Sequence, residues 1–207
     1  MKTPAFFDDV APIAVTDPLA ALLGAAEGGR IEYRYLDAVK LAGHSCPTVA
    51  GAWLMTRTAL ARLYPVGAPQ RGGLRVELRQ TIDEGVAGVI ASVAGLITGA
   101  ANDGGFKGLA GRFGRQGLLR FGVAMAGEIR FTRLDNGSSV ELAHFPQSVP
   151  RPSGLAELMR DALAPQADAA TREAFAEAWQ DWVRTILIDH ADDAALITVE
   201  HRLAPAG

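Results

Sequence analysis

Gly43-His44-Ser45-Cys46-Pro47 places an imidazole and a thiol two residues apart in a turn. That pair suits a soft divalent ion such as zinc, which takes nitrogen and sulfur donors. The proline suits the first turn of a helix, with Cys46 or Ser45 at its cap. The positive end of the helix dipole favours an anionic sulfur there, as ligand or as nucleophile. Two ligands do not complete a zinc site, which wants about four. Waters or a small molecule, further side chains (His144, His190, His201, Asp83, Glu84), or the same pair from a second chain are the candidate sources. Without metal, the pair reads as a cysteine nucleophile with His44 as its base, in a redox or transfer enzyme. The bland reading is a buried thiol beside a satisfied imidazole.

A second constellation lies in the glycine-rich stretch from Ala101 to Gly117, which carries Lys107, Arg112 and Arg115. Glycines expose backbone N–H groups, and the three cations add positive charge, so a phosphate or carboxylate ligand is expected there. The stretch lacks the Gly-Lys-Ser/Thr ending of a P-loop. A flexible, solvated insertion is the alternative. No Gly-x-Ser-x-Gly elbow is present, which excludes the usual serine-hydrolase arrangement. Asp189-His190-Ala191-Asp192-Asp193 reads as a solvated acidic helix end.

The first motif, followed by the small residues Val49-Ala50-Gly51, resembles the signature of the formylmethanofuran dehydrogenase E-subunit family, Gly-His-x-Cys-Pro-Gly leading into an Ala- and Gly-rich helix. Thr48 stands at the last glycine. The family's Thr-Gly-Cys-Thr is met by Thr98-Gly99 with Ala100 in place of the cysteine. Val89 and Ser92 stand where an upstream Cys and Asp belong, and Gly114-Arg115-Gln116-Gly117 is similar to Gly-Lys-Gly-Asn. The resemblance spans Ile31 to Arg133. It implies an α+β fold with a mixed sheet packed on helices, a frequent homodimer, and metal near the His-x-Cys. It assigns no reaction, because redox chemistry in the namesake complex lies in its other polypeptides.

The elements that must hold these residues are legible in part. Asp17 caps a helix expected over Pro18 to Ala26. Ile31 to Ala42 fits strand or helix. Pro47 to Tyr64 reads as a helix ended by Pro65. Leu-Arg-Val-Glu-Leu-Arg at Leu74 to Arg79 alternates as a strand. Gly85 to Asn102 is uncharged and is the only membrane-span suspect, at the lower edge of the roughly 17–25 residues required. Built from Ala, Gly and Val, it is expected as a buried element, helix or strand, and the length of Gly85 to Gly99 favours a helix. Strands are expected at Leu118 to Val123, Glu128 to Arg133 and Ser139 to Phe145, the last two joined by a turn at Asp135-Asn136-Gly137. After Pro146, Pro150 and Pro152 come helices at Gly154 to Leu163 and Ala169 to Ile188, then a strand at Leu196 to Leu203. The aromatic face Phe175, Trp179, Trp182 is expected in the core or in a dimer contact.

The chain has 207 residues, of which 49% are hydrophobic and 21% charged, an ordinary globular balance. Lys+Arg 20 against Asp+Glu 23 gives a net charge of -3 and argues against a dedicated nucleic-acid binder. One cysteine excludes an intrachain disulfide. Met1 to Val10 lacks the pattern of a secretory signal, so a cytoplasmic location is expected. The sequence thus points to an α+β domain over 1–152, with a mixed, mostly antiparallel sheet. A helical extension over 153–207 would pack on that domain or on a partner. The expected function is zinc binding at His44 and Cys46, under a roof formed by the glycine-rich loop. The protein would be an accessory, a sensor or an enzyme of unassigned reaction. The alternatives are a Cys46-based enzyme and a homodimeric module for a small anion.

Overall fold

A computed structural model describes residues 3–202 of the chain. Among the described residues, seven strands and six α-helices make an α+β architecture. The hairpin of β1 (Ile13–Thr16) and β2 (Arg30–Tyr33) forms a small antiparallel sheet. The main sheet has the order β4-β3-β5-β6-β7. It consists of β3 (Leu74–Leu78), β4 (Leu119–Arg120), β5 (Ile129–Arg133), β6 (Ser139–His144) and β7 (Ile197–Arg202). Within it the β3–β4 pair is parallel and the other three are antiparallel. The mixed, mostly antiparallel sheet read from sequence is what the chain forms.

Side-chain alternation decides which face of the sheet is covered. Leu74, Val76, Leu78, Ile129, Phe131, Val140 and Leu142 are buried in the core. α3 (Pro47–Leu63) packs on β6 and β7, and α4 (Ala87–Thr98) packs on α3, β3 and α2 (Tyr35–Ala42). The positions between form a charged row. Glu77 pairs in register with Arg130, and Arg130 with Glu141. Arg130 Nη2 donates to Glu141 Oε1 at 2.8 Å, and Ala126 and Gly127 N–H groups donate to Glu141 Oε2. The loop between β4 and β5 is thereby pinned across this face, and buried carboxylates there have partners, as burial requires.

The expected helices form with shifted ends. α1 (Pro18–Leu22) is shorter than the pattern suggests, because Leu23 leaves the helical region and Gly24 turns the chain at φ 68°. Ile31 to Ala42 is both candidates in succession: β2 and then α2. The strand expected from Leu118 to Val123 shrinks to two residues, since Gly122 and Val123 donate instead to Gln80 and Leu78 carbonyls. β1 carries no strong sequence signal at four residues. α4 is 12 residues long, and no helix among the described residues is long and apolar enough to cross a membrane.

After Pro152 the chain forms α5 (Leu155–Ala162) and α6 (Ala169–Arg184), whose end widens into a π-helical turn over Thr185–Asp189. Val183, Ile186 and Leu187 enter the same apolar core as α3 and the sheet. β7 then joins the main sheet beside β6. The end of the expected last strand, Leu203, lies outside the described residues.

Candidate functional site

The chain enters α3 through a turn fixed from both sides. Gly43 ends α2 with φ 77°, a left-handed conformation that glycine adopts without strain. Cys46 is extended at φ -150° and caps α3, with Pro47 at its first position. Between them Ser45 is buried. Its hydroxyl lies 3.0 Å from the Tyr35 hydroxyl. Its carbonyl accepts hydrogen bonds from Trp179 Nε1 at 3.0 Å and Gln180 Nε2 at 3.1 Å. α6 therefore holds the cap from 134 residues away in sequence. Burial pushes the Tyr35 hydroxyl's pKa well up, so it stays protonated through the physiological range.

Beside the cap lies a cleft of about 670 Å³. Cys46, Pro47 and Thr48 line it from α3. Leu155 and Met159 of α5 and Trp179 and Trp182 of α6 face them. Pro146, Arg151 and Pro152 complete the wall from the connecting segment. Trp179 and Trp182 meet edge to face at 5.7 Å, and the Arg151 guanidinium stands 5.2 Å over the Trp182 ring. Trp182 is 5% exposed, and its indole N–H has no hydrogen-bond partner among the described residues. Of the aromatic face expected in the core or in a dimer contact, Trp182 belongs to the core, Phe175 and Trp179 pack against it, and both tryptophans also wall the cleft.

No hydrogen bond joins His44 to Cys46. His44 is exposed, and its Nδ1 sits 2.9 Å from the Ala42 carbonyl oxygen. Among the described residues no group of three or more His, Cys, Asp or Glu side chains could hold a metal ion. A closed four-ligand zinc site within one chain therefore does not fit this donor set. The further donors considered lie elsewhere. The Asp83 carboxylate accepts from the Thr81 hydroxyl at 2.7 Å. Thr81 N–H reaches toward a Glu84 carboxylate oxygen at 3.4 Å. His190 pairs with Asp193 at 2.9 Å. His144 lies against α3, where a Cβ on Gly51 would fall 2.2 Å from its ring. Its Nε2 is buried without a partner among the described residues, and burial pulls its pKa down to about 4. The side chain of His201 lies outside the described residues.

Of the three cations of the glycine-rich loop, Arg112 and Arg115 border one hollow and Lys107 does not. Lys107 and Arg112 are exposed, and Arg112 stacks 4.9 Å from the centre of the Phe113 ring. Arg115 is 6% exposed and donates to Asp17 Oδ1 at 2.7 Å. Arg71, which the sequence does not single out, donates to Asp17 Oδ2 at 2.9 Å. Burial raises the Asp17 carboxyl's pKa. The Arg71 hydrogen bond, the Arg115 charge and the N–H groups of Ala20 and Leu19 outweigh that and hold it below the usual carboxylate range. The loop borders a hollow of about 440 Å³ with Arg71 and Gly72, and none of its residues lines the Cys46 cleft. The expected roof over Cys46 is instead built by α5, α6 and the proline-rich connection.

The chain matches no known family model and no characterised protein. The functional reading therefore rests on the residues and their arrangement. Sequence reasoning missed Arg151, Thr48 and the α5 residues as cleft walls. The clustered prolines at 146, 150 and 152 are the signal that could have marked a fixed connection there, since each restricts its own φ and the residue before it.

Proposed function

We propose that the chain is a small-molecule-binding protein whose ligand enters the cleft between the start of α3 and the α5–α6 pair and meets the Cys46 thiol there. The observation that carries this reading is the coincidence of three features in one place. The cleft has the size of small-molecule sites. Its walls are chiefly apolar, with two indoles. Its polar lining residues are few: Cys46 at a helix N-terminus, Thr48, and one residue of each charge, Arg151 and Glu157. Such walls select a planar apolar body, and Arg151 selects an anionic end. An aryl carboxylate is the simplest molecule with both.

Two of the three tryptophans wall the cleft, so intrinsic fluorescence reports occupancy. Titration with 2-naphthoate should change the emission saturably and slow alkylation of Cys46 by iodoacetamide. Both effects should be lost in Ala156→Phe, which fills the cleft from an exposed position of α5. An alkylation rate that is the same with and without saturating probe would sink the reading.

A second reading is a zinc ion at His44 and Cys46 shared with the same pair of a second chain in a homodimer. One observation favours it. His44 turns Nδ1 to a backbone carbonyl, the outer contact a metal-bound histidine commonly makes, which presents Nε2 as the ligating atom. Bound metal measured on the wild type beside His44→Ala and Cys46→Ala tests it. About one zinc per dimer, lost in both variants, supports the shared site. Protein free of zinc after growth and purification with zinc present overturns it.

A further inference from the structure

The buried cluster at Asp17 is not electrically balanced. Asp17 carries one negative charge, and both its carboxylate oxygens are engaged by Arg71 and Arg115. The same carboxylate also accepts the N–H groups of Leu19 and Ala20 as the cap of α1. Arg115 keeps a further N–H group, at Nη1, which is buried and has no acceptor among the described residues. Its guanidinium is threaded between two glycines. A Cβ on Gly72 would fall 1.7 Å from Nη1, and one on Gly99 2.9 Å from it. Both positions have positive φ, 80° and 72°. Burial lowers the Arg115 pKa, with the Arg71 charge adding to that and Asp17 opposing it, yet an arginine stays charged at any ordinary pH.

The hollow that opens beside this cluster is lined by Arg71, Gly72, Arg112, Phe113 and Arg115, with no acidic side chain in its wall. Three guanidinium groups less one carboxylate leave an excess of two positive charges around it. A volume of about 440 Å³ exceeds what a bare oxyanion needs and leaves space for an organic body. Phe113 supplies an apolar surface, held at φ 62°, a strained value for a residue with a side chain.

We infer that this hollow is a binding site for a phosphate monoester, with the phosphoryl group between Arg71, Arg112 and the buried Arg115 and the organic part against Phe113. A phosphate monoester carries close to two negative charges at neutral pH, which matches the excess. Its three terminal oxygens suit guanidinium donors, whose planar forks bind phosphate bidentately. The site shares no lining residue with the Cys46 cleft and does not depend on it.

The test is calorimetric titration and thermal melting of the full chain with inorganic phosphate, phenyl phosphate and acetate at pH 7.5. Phenyl phosphate should bind saturably and raise Tm, inorganic phosphate more weakly, and acetate least. Arg112→Ala, a change at an exposed side chain, should weaken phenyl phosphate about tenfold, the scale of a charge-assisted contact. Lys107→Ala, on the same loop but outside the hollow, should leave the affinity unchanged. Equal loss in the two variants would mean only diffuse loop charge and would overturn the site. So would phenyl phosphate binding no tighter than inorganic phosphate, or no saturable binding by either.

Discussion

At Asp17 every oxygen of the carboxylate is engaged and the surplus is positive charge. At the Cys46 cleft the polar groups are sparse, and the Trp182 N–H lacks a partner among the described residues. The first region is held by ion pairs under cover, the second by apolar walls that close around space. The two should therefore fail differently. Removing a charge from a buried cluster strands its partners, whereas trimming an apolar wall mainly enlarges a cleft that is already open.

The largest effect is expected at Asp17. Asp17→Asn keeps a side-chain cap for α1 but leaves Arg71 and Arg115 without their counter-charge. The loss should be about 3–5 kcal/mol, the scale for breaking a buried pair from one side. Urea unfolding checks it, through a fall in the midpoint at unchanged slope. A change below about 1 kcal/mol, the worth of an exposed pair, would mean that water reaches the cluster and that the two regions are not distinct in this respect.

Acid should separate them in pH. His144, two residues before a wall residue of the cleft, has a folded pKa near 4. An unfolded histidine titrates near 6.5. The unfolded state thus binds the extra proton first as pH falls. Stability is unaffected above about pH 6.5, falls between there and about 4, and levels once both states are protonated, with a total loss on the order of 3 kcal/mol. Asp17 acts in a lower window. Its folded pKa lies below 3.8, so its contribution is intact above that value and is lost only on further acidification. In His144→Phe the slope in the upper window should disappear while the lower transition stays. An unchanged slope in that variant would remove His144 as its cause.

Gly51→Ala probes the same contact sterically. The added Cβ meets the His144 ring far inside contact distance. The ring must move or α3 must lift from β6, at about 2 kcal/mol. Thermal melting of Gly51→Ala, His144→Ala and the double variant measures the coupling. If the clash is the cause, the double variant is more stable than the sum of the two single losses predicts.

The start of each region was legible in the sequence, but not its completion. Cys46 at a cap before Pro47 and Asp17 before Pro18 are local signals, because capping chemistry is decided within about four residues. The partners are not local. Arg115 reaches Asp17 across 98 residues, and Trp179 reaches Ser45 across 134. Spacing within the glycine-rich loop suggested that Lys107, Arg112 and Arg115 act together. Folding keeps Arg112 and Arg115 on one hollow, leaves Lys107 outside it, buries Arg115 against a helix cap and sets Arg71 beside it. A cation's role depends on which carboxylate the topology delivers, and periodicity holds no record of that. The strands were legible where one face is buried, as at β3, β5 and β6. β4 is shorter than its apolar pattern suggests, because after Arg120 the backbone N–H groups of Gly122 and Val123 turn to the Gln80 and Leu78 carbonyls while Leu118, Leu119 and Phe121 still pack on the core.

The smallest expected effect is also the closest comparison, between two indoles three residues apart on α6. Trp179 donates its N–H to Ser45 O and so holds the cap of α3, whereas the Trp182 N–H is buried without a partner among the described residues. Trp179→Phe should cost about 1 kcal/mol beyond the loss of ring area, the net worth of one hydrogen bond, while Gln180 Nε2 still donates to the Ser45 carbonyl. Trp182→Phe loses ring area but no hydrogen bond, and it removes an unsatisfied buried donor, so it should carry no such additional cost. The two also differ at the thiol. Loosening Ser45 frees the residue next to Cys46, so Trp179→Phe should speed alkylation of Cys46 by iodoacetamide. Trp182→Phe should leave that rate near the wild-type value. Equal rates in the two variants would show that the cap is held by Gln180 and Tyr35 alone, and that Trp179 contributes wall but not position.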